Sequence, residues 1–176
     1  MNPANEEALQ ANRETMVSLA WLQAFGKWVE PEQRRVYRVW TQIRAKYGRV
    51  TTEPMVAALT LEFSCNPHKA RDLLARTVDV KILAQATDVT DARIKTFSVT
   101  LGSVAALNRI SSWMPLIDKA IMMQREAEPN DYDAGADLLP PEIYIDTRSD
   151  AAKKLLEKAL EGRMQKIRHA KKGVEI

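Results

Sequence analysis

The segment VTTEPMVAALTLEFSCNPHKARDLLAR, residues 50–76, contains two helix starts separated by a short turn. Thr51 or Thr52 can cap a first helix, because a hydroxyl accepts a bond from a free backbone N–H. Asn66 followed by Pro67 is a stronger start, since Asn caps well and the fixed φ of Pro suits the first helical position. Two helices separated by about three residues must turn sharply against each other. The segment therefore predicts a helix-turn-helix.

Basic residues are concentrated in the second of these helices and in the helix that precedes the pair. From Lys27 to Arg49 there are seven basic residues against two acidic ones, whereas the net charge of the whole chain is only +3. A helix N-terminus offers N–H groups to phosphate, and Lys or Arg can reach phosphates or guanine edges. The pattern predicts that these side chains contact DNA: Arg34, Arg35, Arg38, Asn66, His68, Lys69, Arg71 and Arg76.

A second interpretation of the same residues is a helical pair with an ordinary charged and solvated outer face. The turn Ser64-Cys65-Asn66 is longer than in the compact bacterial-repressor form of the motif and has no Gly. Two capped helices with a charged outer face are common in helical domains. The sequence therefore leaves both interpretations open.

Apolar residues recur at helical spacing through most of the chain. The spacing predicts helices from about Ala4 to Trp28, from Glu32 to Tyr47, and from Pro67 toward Ala86. Residues 87–128 are predicted to form a further helix, or a helical hairpin broken near Ser112 to Pro115, with apolar residues on more than one face. Such a segment needs partners on more than one side, and another copy of the chain can supply one of them.

The composition changes at Glu128. From Glu126 to Asp150 there are eight acidic residues against one basic residue, which predicts an acidic linker with one short strand at EIYIDT. Ser149 can cap a last helix, which carries eight Lys or Arg against two Glu between Ala151 and Gly173. The basic end of this helix is predicted to contact DNA or a partner protein through Arg163, Lys166, Arg168, Lys171 and Lys172.

The sequence contains no arrangement typical of an enzyme or of a cofactor site. Cys65 and His68 have a spacing that can bring both near one metal, but a zinc site needs about four ligands and the only other His is His169. Gly-rich phosphate loops, nucleophile elbows and paired catalytic carboxylates are all missing from the sequence. We expect no catalysis, no metal and no cofactor.

The sequence also gives no sign of export or of membrane insertion. The polar, acidic start is unlike a signal peptide, and no apolar run approaches the roughly 20 residues of a spanning helix. We expect a soluble cytoplasmic protein, in the host cytoplasm if it is viral.

The order of these parts resembles the small terminase subunits of tailed bacteriophages. Their DNA-binding element corresponds in position to TTEPMVAALTLEFSCNPHKARDLL. Their ring-forming hairpin corresponds to DARIKTFSVTLGSVAALNRISSWMPLIDKAIMMQ, and their arm corresponds to LLPPEIYIDT with the basic helix. The resemblance implies recognition of viral double-stranded DNA for genome packaging. It also implies a homo-oligomeric ring, a large terminase subunit as partner and no catalysis by this chain.

The predicted fold is all-α, in three parts. Residues 1–86 form the helix-turn-helix domain, residues 87–128 the hairpin for oligomerisation, and residues 129–176 the acidic linker, short strand and basic helix. Two other functions fit the same features: a dimeric helix-turn-helix regulator of phage or plasmid genes, and a structural or adaptor protein of a virion or complex.

Overall fold

The computed structural model describes residues 3–127, 134–140 and 143, and it is mostly helical, as the sequence predicts. The regular elements are α1 (Pro3–Phe25), α2 (Pro31–Tyr47), α3 (Thr52–Phe63), α4 (Pro67–Asp79), β1 (Leu83–Thr87), β2 (Lys95–Val99) and α5 (Leu101–Glu126), followed by a short 3-10 turn at Ala136–Leu138. The first three helices lie close to their predicted positions, and the fourth begins at the predicted residue, Pro67. The strand at EIYIDT and the last basic helix fall outside the described residues.

Of the two alternatives predicted for residues 87–128, the single further helix is confirmed over Leu101–Glu126, and the helical hairpin is wrong. α4 ends at Asp79 instead of continuing toward Ala86, because Lys81 adopts a positive φ of 66° and reverses the chain. The next residues form the antiparallel pair of β1 and β2, in which Leu83 faces Val99 and Thr87 faces Lys95. The remainder is one continuous helix.

That helix, α5, contains Pro115 without a break. An interior Pro costs roughly 3 kcal/mol in a helix. Trp113 and Ile117, on either side of it, are both buried, and burying a large apolar side chain contributes about 1.5–3 kcal/mol each. Packing therefore outweighs the local preference for a break between Ser112 and Pro115.

The chain divides into two compact units, which differ from the predicted domains. A central unit comprises residues 29–108 and contains α2, α3, α4, β1, β2 and the first turns of α5. A terminal unit combines the residues up to Trp28, which include α1, with those from Arg109 onward. The helix-turn-helix thus belongs to a unit that is inserted between α1 and most of α5.

The hairpin of β1 and β2 is fixed to the helices of the central unit through Phe97. Its backbone N–H donates to the carbonyl of Val50 (2.9 Å), and its carbonyl accepts from Nε1 of Trp40 (3.0 Å). Thr96 also forms a β-bridge with Thr51, at the N-cap of α3. Since the Phe97 side chain is buried as well, the hairpin cannot shift in register without losing both bonds and this packing.

A second connection joins the end of α4 to the start of α5. The carbonyl of Lys81 lies 2.8 Å from Oγ1 of Thr100 and 2.9 Å from Oγ of Ser103, which is itself buried. Thr100 Oγ1 also accepts from the backbone N–H of Ser103, as an N-cap does (3.2 Å). The two hydroxyl groups therefore hold the reversed residue Lys81 against the first turn of α5.

Polar contacts join α1 to α5 in the terminal unit. Arg13 pairs with Asp118 (2.9 Å), Arg125 pairs with Glu6 (2.9 Å), and the Asn12 side chain donates to Gln124 (2.6 Å). Gly135, with a φ of 81°, approaches α5 so closely that an added Cβ would lie 2.9 Å from Cα of Ala120. Within the described ranges, every helix is too short or too polar to span a bilayer.

Replacing Gly135 by Ala is expected to lower the free energy of unfolding by about 1–3 kcal/mol, because Ala resists the positive φ and its Cβ meets the backbone of α5. Gly102 is the matched control, since it lies in α5 with open space around it. Gly102→Ala should leave stability unchanged or raise it by up to about 1 kcal/mol. Urea unfolding followed by circular dichroism measures both variants, and equal effects would contradict the close packing.

Candidate nucleic-acid interface

Helix α4 has one buried face and one exposed face. Its buried residues follow the helical period and are Ala70, Leu73, Leu74 and Thr77. The opposite face exposes His68, Arg71 and Ala75. Asn66 is the N-cap, and its side chain accepts from the backbone N–H of Lys69 (2.8 Å). The sequence therefore places α4 correctly and sets which of its side chains reach solvent.

The turn between α3 and α4 explains the missing Gly of the motif. Ser64 ends α3 in a left-handed conformation, with a φ of 47°, in the place that Gly usually occupies. The N–H of Cys65 then bonds to the carbonyl of Thr60 (3.2 Å), and the Cys65 thiol lies 3.9 Å from the carbonyl of Leu59. The turn is held by backbone bonds, and the helix-turn-helix forms without a Gly.

The loop between β1 and β2 is organised around Asp88. Its carboxylate accepts from the side chain of Thr90 (2.6 Å) and from the backbone N–H groups of Thr90 (2.8 Å) and Asp91 (3.3 Å), and it pairs with Arg49 (2.7 Å). These bonds, chiefly those from Thr90, lower the pKa of Asp88 to about 2. At the tip, Val89 is fully exposed. The loop is thus an ordered, protruding element.

Sequence reasoning missed this loop as part of the interface. Arg93 lies on the loop, with its side chain 90% exposed, and Lys95 begins β2 next to it. Arg49 supports the loop through its ion pair with Asp88. The signal was the segment DVTDAR, in which Asp and Thr are typical of a turn, between two short segments that pair as strands. A helix-turn-helix followed by such a hairpin is a winged arrangement, with β1 packed beside α4.

Two of the predicted arginines on α2 are held by a single carboxylate. Arg38 donates to Oε1 of Glu62 (2.5 Å), and Arg35 donates to the backbone carbonyl of Glu62 (2.8 Å). The Arg35 guanidinium also lies 4.2 Å from the ring centroid of Phe63. Because Arg38 and then Arg35 stabilise the charged form, the pKa of Glu62 is lowered. These arginines join α2 to the end of α3.

The other predicted residues lie in different environments. Arg34 is only 9% exposed, so we leave it out of the interface. Arg76 is exposed and lies 3.9 Å from Glu32, and His68 lies 3.7 Å from Asp72. The predicted tail contacts, Arg163, Lys166, Arg168, Lys171 and Lys172, are outside the described residues.

Arg71 differs from these residues. It is exposed on the outer face of α4, and within the described part of the chain its guanidinium has no hydrogen bond or ion pair. Lys69, which is half-buried, likewise has no described partner for its side-chain ammonium. The central unit as a whole has twelve Lys and Arg against eight Asp and Glu, a net of +4.

The described residues offer little for metal chemistry. They contain no group of three or more His, Cys, Asp or Glu side chains placed to hold an ion. Cys65 and His68, the pair noted in the sequence, therefore gain no further ligand among them. What the geometry offers is an exposed helix face, an adjoining loop and several guanidinium groups, which suit an anionic and extended partner.

No protein-family model matches this sequence, and no curated protein is detectably similar to it. A mutant of MepR from S. aureus has a TM-score of 0.47 at 10% identity, over 95% of this chain and 99% of that one. RV1404 from Mycobacterium tuberculosis has a TM-score of 0.44 at 14% identity, over 94% of this chain and 93% of that one. The transcriptional regulator Tm0710 from Thermotoga maritima has a TM-score of 0.39 at 14% identity, over 91% of this chain and 94% of that one. Likeness of this degree establishes neither a fold family nor a function.

The carboxyl group of Asp88 is expected to titrate at about 2. Because its pKa is below the value of about 3.9 in an unfolded chain, its bonds stabilise the loop above pH 4, and this contribution is lost as the pH falls toward 2. Thr90→Val should raise the pKa more than Arg49→Ala, since the Thr90 hydrogen bonds are the main cause and the Arg49 charge is the smallest. Carboxyl ¹³C shifts measured against pH test this order, and the reverse order would contradict it.

Proposed function

We propose that this chain is a non-catalytic, double-stranded-DNA-binding regulator. The outer face of α4 enters the major groove, and the loop between β1 and β2 lies against the neighbouring backbone. The observation that carries this proposal is the arrangement of the central unit, in which α3, a Gly-free turn, α4 and the hairpin present one exposed helix and one ordered loop. A helix of this kind fits the major groove of B-DNA.

The charges of the central unit support an anionic partner. Lys69 is the cation proposed to contact phosphate, since it lies in the first turn of α4. Arg93 lies on the exposed loop but is bonded to Asp91, and it is proposed to contribute to the field. In the first turn of α4, the backbone N–H of His68 has no described acceptor and suits a phosphate oxygen. Arg35 and Arg38 are proposed to contribute to the field rather than to direct contacts, because Glu62 holds them.

A regulator is favoured over a subunit of a packaging ring. The resemblance to small terminase subunits depended on a helical hairpin at residues 87–128, and this segment instead holds β2 and one helix. Ring assembly and a large terminase partner therefore lose the feature that suggested them. The dimeric regulator requires only the winged arrangement and one surface for self-association.

Helix α5 offers such a surface. Leu101, Val104, Met122 and Met123 are its exposed large apolar residues. Met122 and Met123 are consecutive exposed apolar side chains of the terminal unit. A single chain leaves them in water, and we propose that a second copy covers them in a homodimer.

DNA affinity is expected to fall steeply with salt, because neutralised phosphates release counterions. Lys69→Ala should reduce the slope of log K against log salt by about 0.9. Arg93→Ala should reduce it less, because Asp91 already holds the Arg93 guanidinium. The control is Lys119→Ala, an exposed Lys on α5 in the terminal unit, which should leave the slope unchanged. Fluorescence anisotropy with a duplex between 50 and 200 mM salt, roughly the range over which such affinities change most, measures all four proteins.

A wild-type chain that binds no duplex at low salt would support the adaptor function instead.

Mass measurement in solution is expected to give a dimer. Met122→Lys with Met123→Lys should convert it to a monomer, because both side chains are exposed in the single chain and the new charges would be buried between copies. Native mass spectrometry distinguishes the assemblies. A large closed oligomer would favour the packaging function, and a wild-type monomer would contradict self-association.

A further inference from the structure

We propose that Arg71 is the residue with which α4 reads base sequence, by donating two N–H bonds to a guanine in the major groove. This assignment rests on the proposed DNA binding. It goes further by naming one residue and one base, and by separating Arg71 from the other basic residues of the same unit.

The first argument is that Arg71 has no internal acceptor. Each of the other exposed arginines in the described central unit already forms a hydrogen bond or an ion pair with a group of the same chain. The pairs are Arg35 and Arg38 with Glu62, Arg44 with the carbonyl of Gly48, Arg49 with Asp88, Arg76 with Glu32, and Arg93 with Asp91. Arg71 is exposed without such a bond. Its guanidinium can therefore bind a new acceptor without first losing one.

The second argument is the position of Arg71 on α4. It lies near the middle of the exposed face, between Pro67 one turn before it and Ala75 one turn after it. Both neighbours are short, so the helix axis can approach the groove floor, and the side chains that extend from this stretch are Arg71 and the exposed His68. The planar guanidinium matches O6 and N7 of guanine with two parallel bonds.

The third argument is the acidic residue beside it. Asp72 lies 3.7 Å from His68 and forms no recorded bond with Arg71. Asp79 adds a second carboxylate on the exposed side of the same helix. Carboxylates repel phosphates but can accept from the amino group of cytosine. A helix face that carries both signs is therefore better suited to base edges than to the backbone.

Selection of duplexes from a random library tests the assignment. The wild type should enrich a motif with at least one required guanine, and Arg71→Ala should lose the preference at that position only. Its affinity for the selected duplex should fall roughly 5- to 150-fold, the range for one bidentate base contact, while its affinity for an unrelated duplex changes little. Arg71→Lys keeps the charge without the planar fork and should weaken the guanine preference.

The matched control is Arg76→Ala, on the same helix but paired with Glu32, and it should leave the motif unchanged. Because Arg71 is exposed and has no described partner, its variants should keep the wild-type circular dichroism spectrum. If Arg71→Ala weakens selected and unrelated duplexes by the same factor and lowers the salt slope, Arg71 binds phosphate and the assignment is wrong. A wild type that binds duplex but enriches no motif overturns the assignment alone, whereas a wild type that binds no duplex overturns the proposed function as well.

Discussion

The backbone of Phe97 is the point on which the central unit depends. Its N–H is bonded to Val50, in the connection between α2 and α3, and its carbonyl to Trp40 of α2, while its side chain is buried. An isolated two-stranded hairpin is at best marginally stable in water. Attached in this way, β1 and β2 hold the loop that we propose as the second DNA contact. Without that attachment, the helix-turn-helix would have no ordered loop beside it.

The central unit contains many basic residues, but few of them are free to bind a partner. The twelve Lys and Arg of the central unit would suggest a broadly cationic surface, yet ion pairs with Glu62, Asp88, Asp91 and Glu32 occupy most of its exposed arginines. Exposed pairs of this kind contribute little to stability, typically 0–1 kcal/mol each. Their larger effect here is on recognition, because they leave few free cations and so concentrate the proposed contacts on α4.

The sequence predicted the elements whose causes are local. Asn66 and Pro67 start α4 through bonds and a φ that lie within a few residues, and the helix begins where they indicate. The strands were missed because β1 has no clear alternation. Gln85, Ala86 and Thr87 are all exposed, and the segment becomes a strand through pairing with residues about ten positions later. Pairing of that kind is not visible in a local apolar period.

The candidate site was predictable only in part, for a related reason. Arg34 and Arg35 are adjacent and chemically identical, but one is buried and the other is exposed. That difference depends on how α2 packs within the fold. The terminase resemblance relied on the order of helices, and it is left without support because the residues before α5 form a hairpin of strands.

The insertion of the central unit into the terminal unit has a consequence during synthesis. The contacts that fix the central unit all lie within residues 29–108, such as those between Arg38 and Glu62, 24 residues apart, and between Trp40 and Phe97, 57 residues apart. α1 must wait for α5, because Arg13 and Asp118 are separated by 105 residues. At roughly 5–20 residues per second on the ribosome, that interval is on the order of 5–20 s. The inserted unit can therefore be complete while the nascent first helix still exposes its apolar stripe, where a holding chaperone can bind it.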